Sequence, residues 1–457
     1  MDLTISVIGT GYLGATHAAC LAELGFEVVG VDHDHRKVAR LNEGAAPFAE
    51  PGLDDLLARH VGTGRLRFTT EVADAAMSAD VHFLCVGTPQ SALGRSADLG
   101  AVFAAARDLA RHLTRDCVVV GKSTVPVGTA ERVARELERF APPGVETVLA
   151  WNPEFLREGH AVLDTLHPDR LVLGVDTPDA ELVLRGVYAD AIARGVPVHV
   201  TDLATAELAK VAANAFLATK ISFINAMADI SDRSGADVVA LADILGDDSR
   251  IGRRFLDAGV GFGGGCLPKD LRALSARAEE LGAAQVSGLL REVDEINLRA
   301  RSKVVDLALE LCGGDLGARR VAVLGAAFKP LSDDVRDSPA LDVALQVHRR
   351  GAEVRVFDPE AALNARSVAP ELTYVASLEH ALRGADLVLH LTEWPEFLET
   401  DPRWAAGLVA RPVIIDGRNK LDLDGWTRAG WTIQAIGRPR RRDAARPFTA
   451  GGALASS

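Results

Sequence analysis

The sequence predicts an α/β protein in which two doubly wound parallel-sheet domains are joined by a long helical central segment. Three observations support this prediction. The chain opens on a strand–helix–strand pattern, an alanine-rich helical stretch begins at Leu203, and the opening pattern returns at Arg320. Strands that alternate with helices are typical of a parallel sheet covered on both faces. A chain of 457 residues is long enough for about three domains.

The first domain begins with an apolar strand pattern over 3–9, helical periodicity over 12–24 and a second strand over 27–32. The same alternation then continues, with strands at 81–86, 117–120 and 148–150 and helices at 98–113 and 129–140. We therefore assign residues 1–200 to one doubly wound domain.

The central segment, 201–300, has an uninterrupted helical pattern from Leu203 to about Ser231, followed by further helix. Helical segments of this length often form dimer surfaces, so we expect a homodimer or a higher homo-oligomer. Strand patterns resume at 320–325, 353–358 and 385–390, with a helix over 338–350. They repeat the order of the first domain, and residues 301–437 are assigned to a second such domain. The Arg-, Ala-, Gly- and Ser-rich residues 438–457 are predicted to form a flexible tail.

Composition excludes several function classes. A net charge of −13 repels polyanions and argues against nucleic acid as a partner. We find no run of 18 apolar residues and no secretory signal at the N-terminus, so we expect no membrane partner and a cytoplasmic location. Five cysteines without paired or metal-like spacing predict neither disulfides nor a metal site.

The run GTGYLG (9–14) follows a strand and opens a helix. Gly9 can make the tight turn, Gly11 lets the backbone approach a pyrophosphate, and Gly14 allows close helix packing. Asp32 ends the second strand, where a carboxylate accepts the ribose hydroxyls of NAD and repels the extra phosphate of NADP. The basic Lys37 favours tolerance of NADP instead. NAD is the predicted cofactor, and both sheets are predicted to be Rossmann-like.

Further polar residues follow the predicted strands of the first domain. Thr88 and Pro89 end one strand, Thr124 lies in STVPVGT (123–129), and NPEFLREG (152–159) contains two carboxylates four residues apart. Ligands of open α/β sheets bind at this edge. Ordinary turns and helix caps explain the same residues equally well.

Two polar residues, Lys210 and Asn214, are spaced i, i+4 on the long helix and share one face. An ammonium and an amide placed in this way can stabilise an oxyanion. A surface lysine whose stem covers apolar neighbours is the simpler explanation.

Cys266 lies in GFGGGCLPKD (261–270). A free cysteine is commonly a small buried apolar residue. The preceding glycines indicate a flexible flank, which a packed core does not need. Lys269 and Asp270 are close enough in sequence to bias the ionisation of the thiol and to orient water. Cys266 is therefore a candidate nucleophile.

Together these motifs resemble the UDP-glucose/GDP-mannose dehydrogenase family. The resemblance covers about residues 1–435 and rests on GTGYLG (9–14), STVPVGT (123–129), NPEFLREG (152–159), AELAKVAANAF (206–216), RIGRRFLDAGVGFGGGCLPKD (250–270), FKPLSDDVRDSP (328–339) and DGR (416–418). It implies an NAD-dependent four-electron oxidation of a nucleotide sugar, UDP-glucose to UDP-glucuronate, through a cysteine thiohemiacetal and thioester. GDP-mannose or another nucleotide sugar is the alternative substrate. A nucleotide-sugar-binding protein without turnover is a third possibility, but Cys266, Lys210, Glu154 and Asp270 are all retained.

The resemblance implies a role for each matching residue. Cys266 is the nucleophile, Lys210 and Asn214 stabilise oxyanions, Asp270 holds a water, Glu154 assists hydrolysis of the thioester, and Thr124 contacts the substrate or the water. The cofactor-binding residues are Gly9, Gly11, Tyr12, Leu13, Gly14, Asp32, Lys37, Thr88, Pro89, Thr124, Glu158 and Arg336. The substrate-binding residues are Glu154, Phe155, Leu156, Lys210, Asn214, Arg250, Phe262, Gly263, Phe328, Lys329 and Arg418, with Arg250 expected to reach a neighbouring subunit.

Two positions beside the nucleophile depart from the family pattern. Gly265 stands where many members have serine, and Leu267 where phenylalanine is frequent; GDP-mannose dehydrogenases also have this leucine. The nucleotide base therefore stays open, although AKVAAN (209–214) and NPEFLREG (152–159) favour the UDP-glucose branch.

Overall fold

The structure is a computed structural model that describes residues 3–92 and 94–439. The first part of the chain contains β1 (Thr4–Ile8), α1 (Tyr12–Glu23), β2 (Glu27–Val31), α2 (His35–Asn42), α3 (Leu53–Gly62), β3 (Leu66–Thr69), α4 (Val72–Ser78), β4 (Val81–Leu84), α5 (Gly100–His112), β5 (Cys117–Gly121), α6 (Thr129–Phe140), β6 (Thr147–Trp151), α7 (Ala161–Leu166), β7 (Leu171–Val175), α8 (Pro178–Val187), α9 (Ala189–Ala193) and β8 (Val198–Thr201).

The central helices are α10 (Leu203–Ser234), α11 (Val238–Asp247), α12 (Leu267–Glu280) and α13 (Ala284–Leu311). The last part contains β9 (Arg320–Leu324), α14 (Pro339–Arg349), β10 (Glu353–Phe357), α15 (Ala362–Val368), β11 (Thr373–Tyr374), α16 (Leu378–Leu382), β12 (Leu387–His390), α17 (Pro395–Leu398), α18 (Pro402–Ala406), β13 (Val413–Asp416), α19 (Leu423–Arg428) and β14 (Thr432–Ala435). The predicted fold class, with two α/β sheets joined by a long helix, is confirmed.

The first sheet has the strand order β3-β2-β1-β4-β5-β6-β7-β8. Helices cover both of its faces, because alternate residues of a strand point to opposite sides. In β1, Ile5 and Val7 belong to one apolar layer and Ile8 to the other. The strand order reverses between β1 and β4, and the crevice at such a reversal is where open α/β sheets bind ligands.

One strand pairing differs from the all-parallel prediction. β7 runs antiparallel to β6, with Ala150 opposite Val175, and β8 then runs parallel to β7. An antiparallel pair needs no crossover to the far edge of the sheet. The connection 152–170 therefore begins and ends at the edge where the glycine turn lies, and it keeps NPEFLREG there.

Helix α10 connects the two sheets and packs against α12 and α13. Asp202 caps its N-terminus by accepting from the backbone N–H of Thr205 at 2.7 Å, and Gly235 (φ 78°) ends it. By length and composition it is, within the described chain, the one helix apolar enough to cross a membrane, and 44% of its most apolar window is buried inside the protein. A core helix passes the same test.

The second sheet has the order β11-β10-β9-β12-β13-β14, and each described pair is parallel. Asp358, after β10, occupies the position that Asp32 has after β2. Its Oδ2 accepts from the N–H groups of Ala326 (2.7 Å) and Ala327 (2.9 Å) and from Trp394 Nε1 (3.1 Å). Protein donors thus engage this oxygen of Asp358.

The first residue of the predicted tail, Arg438, contacts the helical segment. Arg438 Nε lies 3.2 Å from Asp237 Oδ2, so residue 438 is held against the start of α11. Residues 440–457 of the predicted tail lie outside the described residues. The domain boundaries at 200, 300 and 437 stay a prediction.

Candidate active site

Each glycine of the turn between β1 and α1 has a distinct structural role. Gly9 has φ 90°, and a Cβ there would come within 2.9 Å of the Val86 backbone; a Cβ on Gly14 would lie 1.8 Å from the carbonyl oxygen of Gly9. Nothing lies within 4 Å of a Cβ on Gly11. The outer glycines shape the turn, and the middle one leaves room for a ligand at the N-terminus of α1.

Asp32 is buried at the end of β2. Its Oδ2 accepts from the backbone N–H of Thr10 at 3.0 Å and from Lys37 Nζ at 2.8 Å. Burial alone raises the pKa of Asp32, but the hydrogen bonds from Lys37 and from the N–H of Asp34 outweigh it and place the pKa below its usual value. The carboxylate is therefore charged at neutral pH and partly neutralised by Lys37.

A large cavity of about 1040 Å³ extends from Asp32 to Cys266. We call it the large cavity. Ten of the predicted cofactor-binding residues line it: Gly9, Gly11, Tyr12, Leu13, Asp32, Lys37, Thr88, Thr124, Glu158 and Arg336. Gly14 and Pro89 are not among its described lining residues; Gly14 is buried, which agrees with a packing role, and Pro89 is exposed outside the cavity.

An inner cavity of about 500 Å³ adjoins the large cavity, and both are lined by Glu154 and Leu156. Two buried polar pairs lie beside it. Lys210 Nζ is 2.9 Å from Glu154 Oε1, and Asn214 Nδ2 donates to Asp270 Oδ2 at 2.7 Å. Lys210 is 3% exposed, so it is not a surface lysine.

Cys266 is exposed where its side chain lines the large cavity, and the neighbouring residues still desolvate its thiol. Burial and then the charge of Glu154 raise the pKa of the thiol to about 12, whereas Lys210 acts in the opposite direction. Burial alone lowers the pKa of Lys210, but the carboxylates of Glu154 and Asp270 outweigh it and keep the ammonium protonated. The protein alone therefore holds a neutral thiol beside a cation. The charge of Lys210 favours the thiolate; the role predicted for Lys269 stays a prediction.

Lys269 binds Asp270 instead: its Nζ lies 2.7 Å from Asp270 Oδ1. Glu158 and Arg336 form a second ion pair near the thiol, with Glu158 Oε1 3.1 Å from Arg336 Nη2. Burial, followed by the charge of Asp334, raises the pKa of Glu158 to about 7 despite the opposing charge of Arg336.

The glycines before Cys266 are closely packed, and the expectation of a flexible flank was wrong. A Cβ on Gly263 would lie 2.3 Å from the carbonyl oxygen of Asp337, and one on Gly265 would lie 2.2 Å from the guanidinium carbon of Arg336. Gly264 has φ 85° and lies against the Phe328 ring. Glycine is needed at 263 and 264, where a Cβ would meet backbone or the backbone is left-handed, whereas at 265 the neighbour is the movable end of an arginine side chain.

An outer cavity of about 440 Å³ lies on the other side of this segment and shares Arg254 and Phe255 with the inner cavity. Its predicted substrate-binding residues are Phe262, Gly263, Phe328, Lys329 and Arg418. The remaining ones, Glu154, Phe155, Leu156, Lys210 and Asn214, line the inner cavity. Arg250 is exposed, pairs with Asp248 at 2.6 Å, and lines none of the three cavities in the described chain.

Sequence reasoning missed several polar residues at the bottom of the inner cavity. Lys122 follows β5 two residues before Thr124, and His17 lies within the apolar helix α1. One signal could have identified Lys122: it is a lysine at the carboxyl end of a buried strand, close to a predicted ligand-binding loop. Nothing in the sequence connects His17 with the inner cavity.

Comparisons with known proteins agree with this geometry. Residues 3–192, 204–299 and 322–423 match, in turn, the NAD binding, central and UDP binding domains of the UDP-glucose/GDP-mannose dehydrogenase family. The chain is 43% identical to UDP-glucose 6-dehydrogenase TuaD of Bacillus subtilis, covering 96% of this chain and 94% of that protein. It is 41% identical to UDP-glucose 6-dehydrogenase of Rhizobium meliloti, covering 96% and 100%. A UDP-glucose dehydrogenase structure from Pyrobaculum islandicum superposes with a TM-score of 0.88 at 38% identity, covering 96% and 98%.

Proposed function

Because the chain belongs to the UDP-glucose/GDP-mannose dehydrogenase family, it is an NAD-dependent oxidoreductase, and we propose that it oxidises UDP-glucose to UDP-glucuronate. The observation that supports this most directly is the position of Cys266. Its thiol opens into the cavity of the glycine turn and is within electrostatic reach of the buried Lys210–Glu154 pair. A nucleophile, a cation and a carboxylate are thus available around one reacting carbon.

The residues around the large cavity fit NAD. Gly11 leaves the N-terminus of α1 open for the pyrophosphate, and Asp32 offers a charged acceptor for the ribose hydroxyls. Glu158 and Arg336 line the end of the cavity near Cys266. When bound, NAD accepts the hydride in each of the two oxidations.

In the oxidation steps, Lys210 and Asn214 stabilise the negative charge that develops on the C6 oxygen. The thiol of Cys266 adds to the C6 aldehyde: a C–S bond forms, and the proton passes from sulfur to the aldehyde oxygen to give a thiohemiacetal. Loss of a second hydride from this carbon, together with the proton of its hydroxyl group, leaves a thioester. Asp270, held by Asn214 and Lys269, keeps a water close to the thiol.

In the release step, Glu154 accepts a proton from the water that attacks the thioester, and Thr124 contacts that water or the substrate. The backbone N–H of Leu156 donates to Glu154 Oε2 at 2.6 Å and Lys210 lies at Oε1, so the carboxylate is held in one orientation. A general base that is fixed in this way needs no reorganisation during the reaction.

The nucleotide part of the substrate would lie in the outer cavity. Lys329 and Arg418 supply cations for the diphosphate, which a chain of net charge −13 must provide locally. Gly265 faces Arg336 rather than this cavity, so its departure from serine does not distinguish uracil from guanine. Leu267 does line the cavity, and GDP-mannose oxidation is the second candidate function because of that residue.

We also propose that the chain forms a homodimer or a higher homo-oligomer. Leu208, Phe216, Phe223 and Ile230 of α10 are each more than 40% exposed, and their spacing of seven or eight residues places them along one face of the helix. A second copy covering this face would bring Arg250 towards a neighbouring site. Light scattering on the wild type and Phe223→Asp tests this: a wild-type monomer contradicts it.

Two further assignments stay predictions. One is the division of the chain into a cofactor domain, a central domain and a UDP-sugar domain, at 1–200, 201–300 and 301–437. The other is a cytoplasmic location.

The function is tested by incubating the purified chain with NAD and a limiting amount of UDP-glucose while NADH absorbance is recorded. Two NADH per UDP-glucose are expected, with little reaction of GDP-mannose. One NADH per sugar would contradict the thioester route. Preference for GDP-mannose would select the second candidate function, and no NADH from either sugar would refute both.

A further inference from the structure

The bottom of the inner cavity is polar and buried, and the chemistry described above does not use it. We call it the polar floor and define it by four residues: His17, Lys122, Asn152 and Tyr188. They come from α1, the residue after β5, the residue after β6 and the end of α8. The polar floor lines the same cavity as Glu154 and Lys210.

Lys122 has an arrangement that suits a neutral amine. Its Nζ donates to Asn152 Oδ1 at 2.8 Å and to the hydroxyl of Tyr188 at 3.3 Å. No described carboxylate lies within ion-pair distance of it. A neutral amine has two N–H groups and one lone pair, so these two acceptors match its two donors, and the residue lines the inner cavity. Burial lowers the pKa of Lys122 to about 8, which makes this form accessible near neutral pH.

His17 is 1% exposed, and neither of its ring nitrogens has a hydrogen-bond partner among the described residues. Its ring packs edge-on against the ring of Phe83, with the two ring centroids 4.7 Å apart. Burial, followed by the charge of Lys122, holds the pKa of His17 well below its usual range. The neutral ring therefore presents one donor and one acceptor to a cavity with room for several waters.

The proposed reaction must dispose of protons. Oxidation of a primary alcohol and water to a carboxylate, with two hydrides transferred, releases three protons. Glu154 is paired with Lys210, and that ion pair is lost while the carboxyl group is protonated. A group behind Glu154 that accepts the proton would return the site to its charged state.

We propose that the polar floor is the proton acceptor behind Glu154, with the amine of Lys122 as the receiving group and His17 ordering the intervening water. This inference rests on the proposed function. In the release step, water adds to the thioester carbon and the C–S bond breaks. One proton of that water returns to the sulfur of Cys266, and the other passes through Glu154 to Lys122 Nζ. It then leaves to bulk solvent through the mouth of the inner cavity, near the exposed Asp169.

Lys122 does not touch the substrate in this scheme; it acts through Glu154. The titratable groups that face it are His17 of α1, Cys85 after β4, Glu154 after β6, Tyr188 after α8 and Lys210 of α10. The charges of Cys85 and Glu154 favour the ammonium, while that of Lys210 disfavours it. Only the unprotonated amine accepts a proton, so release of the product should accelerate as pH rises.

The test measures the thioester on Cys266 directly. Enzyme turning over UDP-glucose and NAD is quenched in acid, and the acylated fraction is determined by mass spectrometry between about pH 6 and pH 9. In the wild type this fraction should fall as pH rises. In Lys122→Met it should stay high at every pH, with kcat and the KM for UDP-glucose lowered together by about 10²-fold, because the slowed step follows formation of the thioester. Lys122→Ala should regain activity with ethylamine in proportion to the unprotonated amine.

A matched control is available in the same sheet. His82 of β4 is also buried, but it bonds to Ser6 and does not line the inner cavity. His82→Gln should retain the wild-type pH dependence, whereas His17→Gln should raise the acylated fraction. A wild-type acylated fraction that does not change with pH would overturn the proposal even if Lys122→Met fails to fold. Failure of the proposed function is distinct, because the wild type would then form neither thioester nor two NADH per sugar.

Discussion

Replacement of Lys210 by methionine removes the ammonium while it keeps most of the side-chain volume. Two separate effects are expected, one on catalysis and one on stability. Loss of one oxyanion-stabilising group lowers kcat by about 10²–10³-fold, or about 3–4 kcal/mol of transition-state stabilisation. Glu154, whose side chain is 11% exposed, loses its partner at 2.9 Å, and an unpaired buried charge lowers the free energy of unfolding by about 3–5 kcal/mol.

The two effects can be separated with a second substitution. Lys210→Met/Glu154→Gln leaves no unpaired charge, so it should recover most of the lost unfolding free energy in urea while kcat stays low. Lys210→Arg should not restore kcat, because a planar guanidinium does not fit the place of a compact ammonium. Steady-state NADH formation gives kcat and KM separately. A Lys210→Met enzyme with nearly normal kcat and only a raised KM would refute the oxyanion role.

Cys266→Ser should form no thioester, and its steady-state NADH formation with UDP-glucose should fall by about 10³-fold or more because the serine hydroxyl is a much weaker nucleophile; wild-type turnover would contradict the covalent route. Asp32→Ala should raise KM for NAD and narrow the preference over NADP, because the ribose hydroxyls lose an acceptor and the repulsion of the phosphate is removed; unchanged cofactor kinetics would show that Asp32 does not face the ribose. Burial raises the pKa of Glu207 to about 7, although hydrogen bonds from the N–H groups of Gly128 and Ala130 act in the opposite direction. The folded state therefore binds this proton more tightly than the unfolded chain does. The resulting contribution to the free energy of unfolding is lost as pH rises through about 7. Glu207→Gln should therefore show a smaller fall in urea unfolding free energy between about pH 5 and pH 8, and an unchanged slope would assign that fall to other groups.

The parts of the fold that sequence predicts well are those set by local pattern. The helix predicted over 129–140 is observed as Thr129–Phe140, because its apolar residues recur at helical spacing and Gly128 supplies the left-handed residue (φ 91°) that precedes it. The glycine turn has the roles expected for Gly9, Gly11 and Gly14 because each follows from one strand and one helix. Local pattern is sufficient in both cases.

Strand direction and buried polar clusters depend on contacts that local pattern does not contain. Nothing in the apolar residues of β7 indicates that it runs against β6. The polar floor joins residues from 17 to 188, and only the folded chain brings them together. The glycines before Cys266 were expected to be flexible because their packing partners, Phe328 and Arg336, lie far along the chain. In each case the deciding neighbour is distant in sequence.

The pairing of Lys210 with Glu154 also explains why a reactive residue can lie beside a buried cation without being permanently ionised. Lys210 favours the thiolate of Cys266, while Glu154 opposes it, and burial leaves the pKa of the thiol at about 12. A lysine alone would promote a thiolate that is open to oxidation in the cavity. With Glu154 present, the positive charge is retained for an oxyanion on the substrate while the resting thiol stays protonated. A buried ion pair rarely stabilises a fold more than apolar residues of the same volume would, so its presence here is better explained by catalysis than by stability.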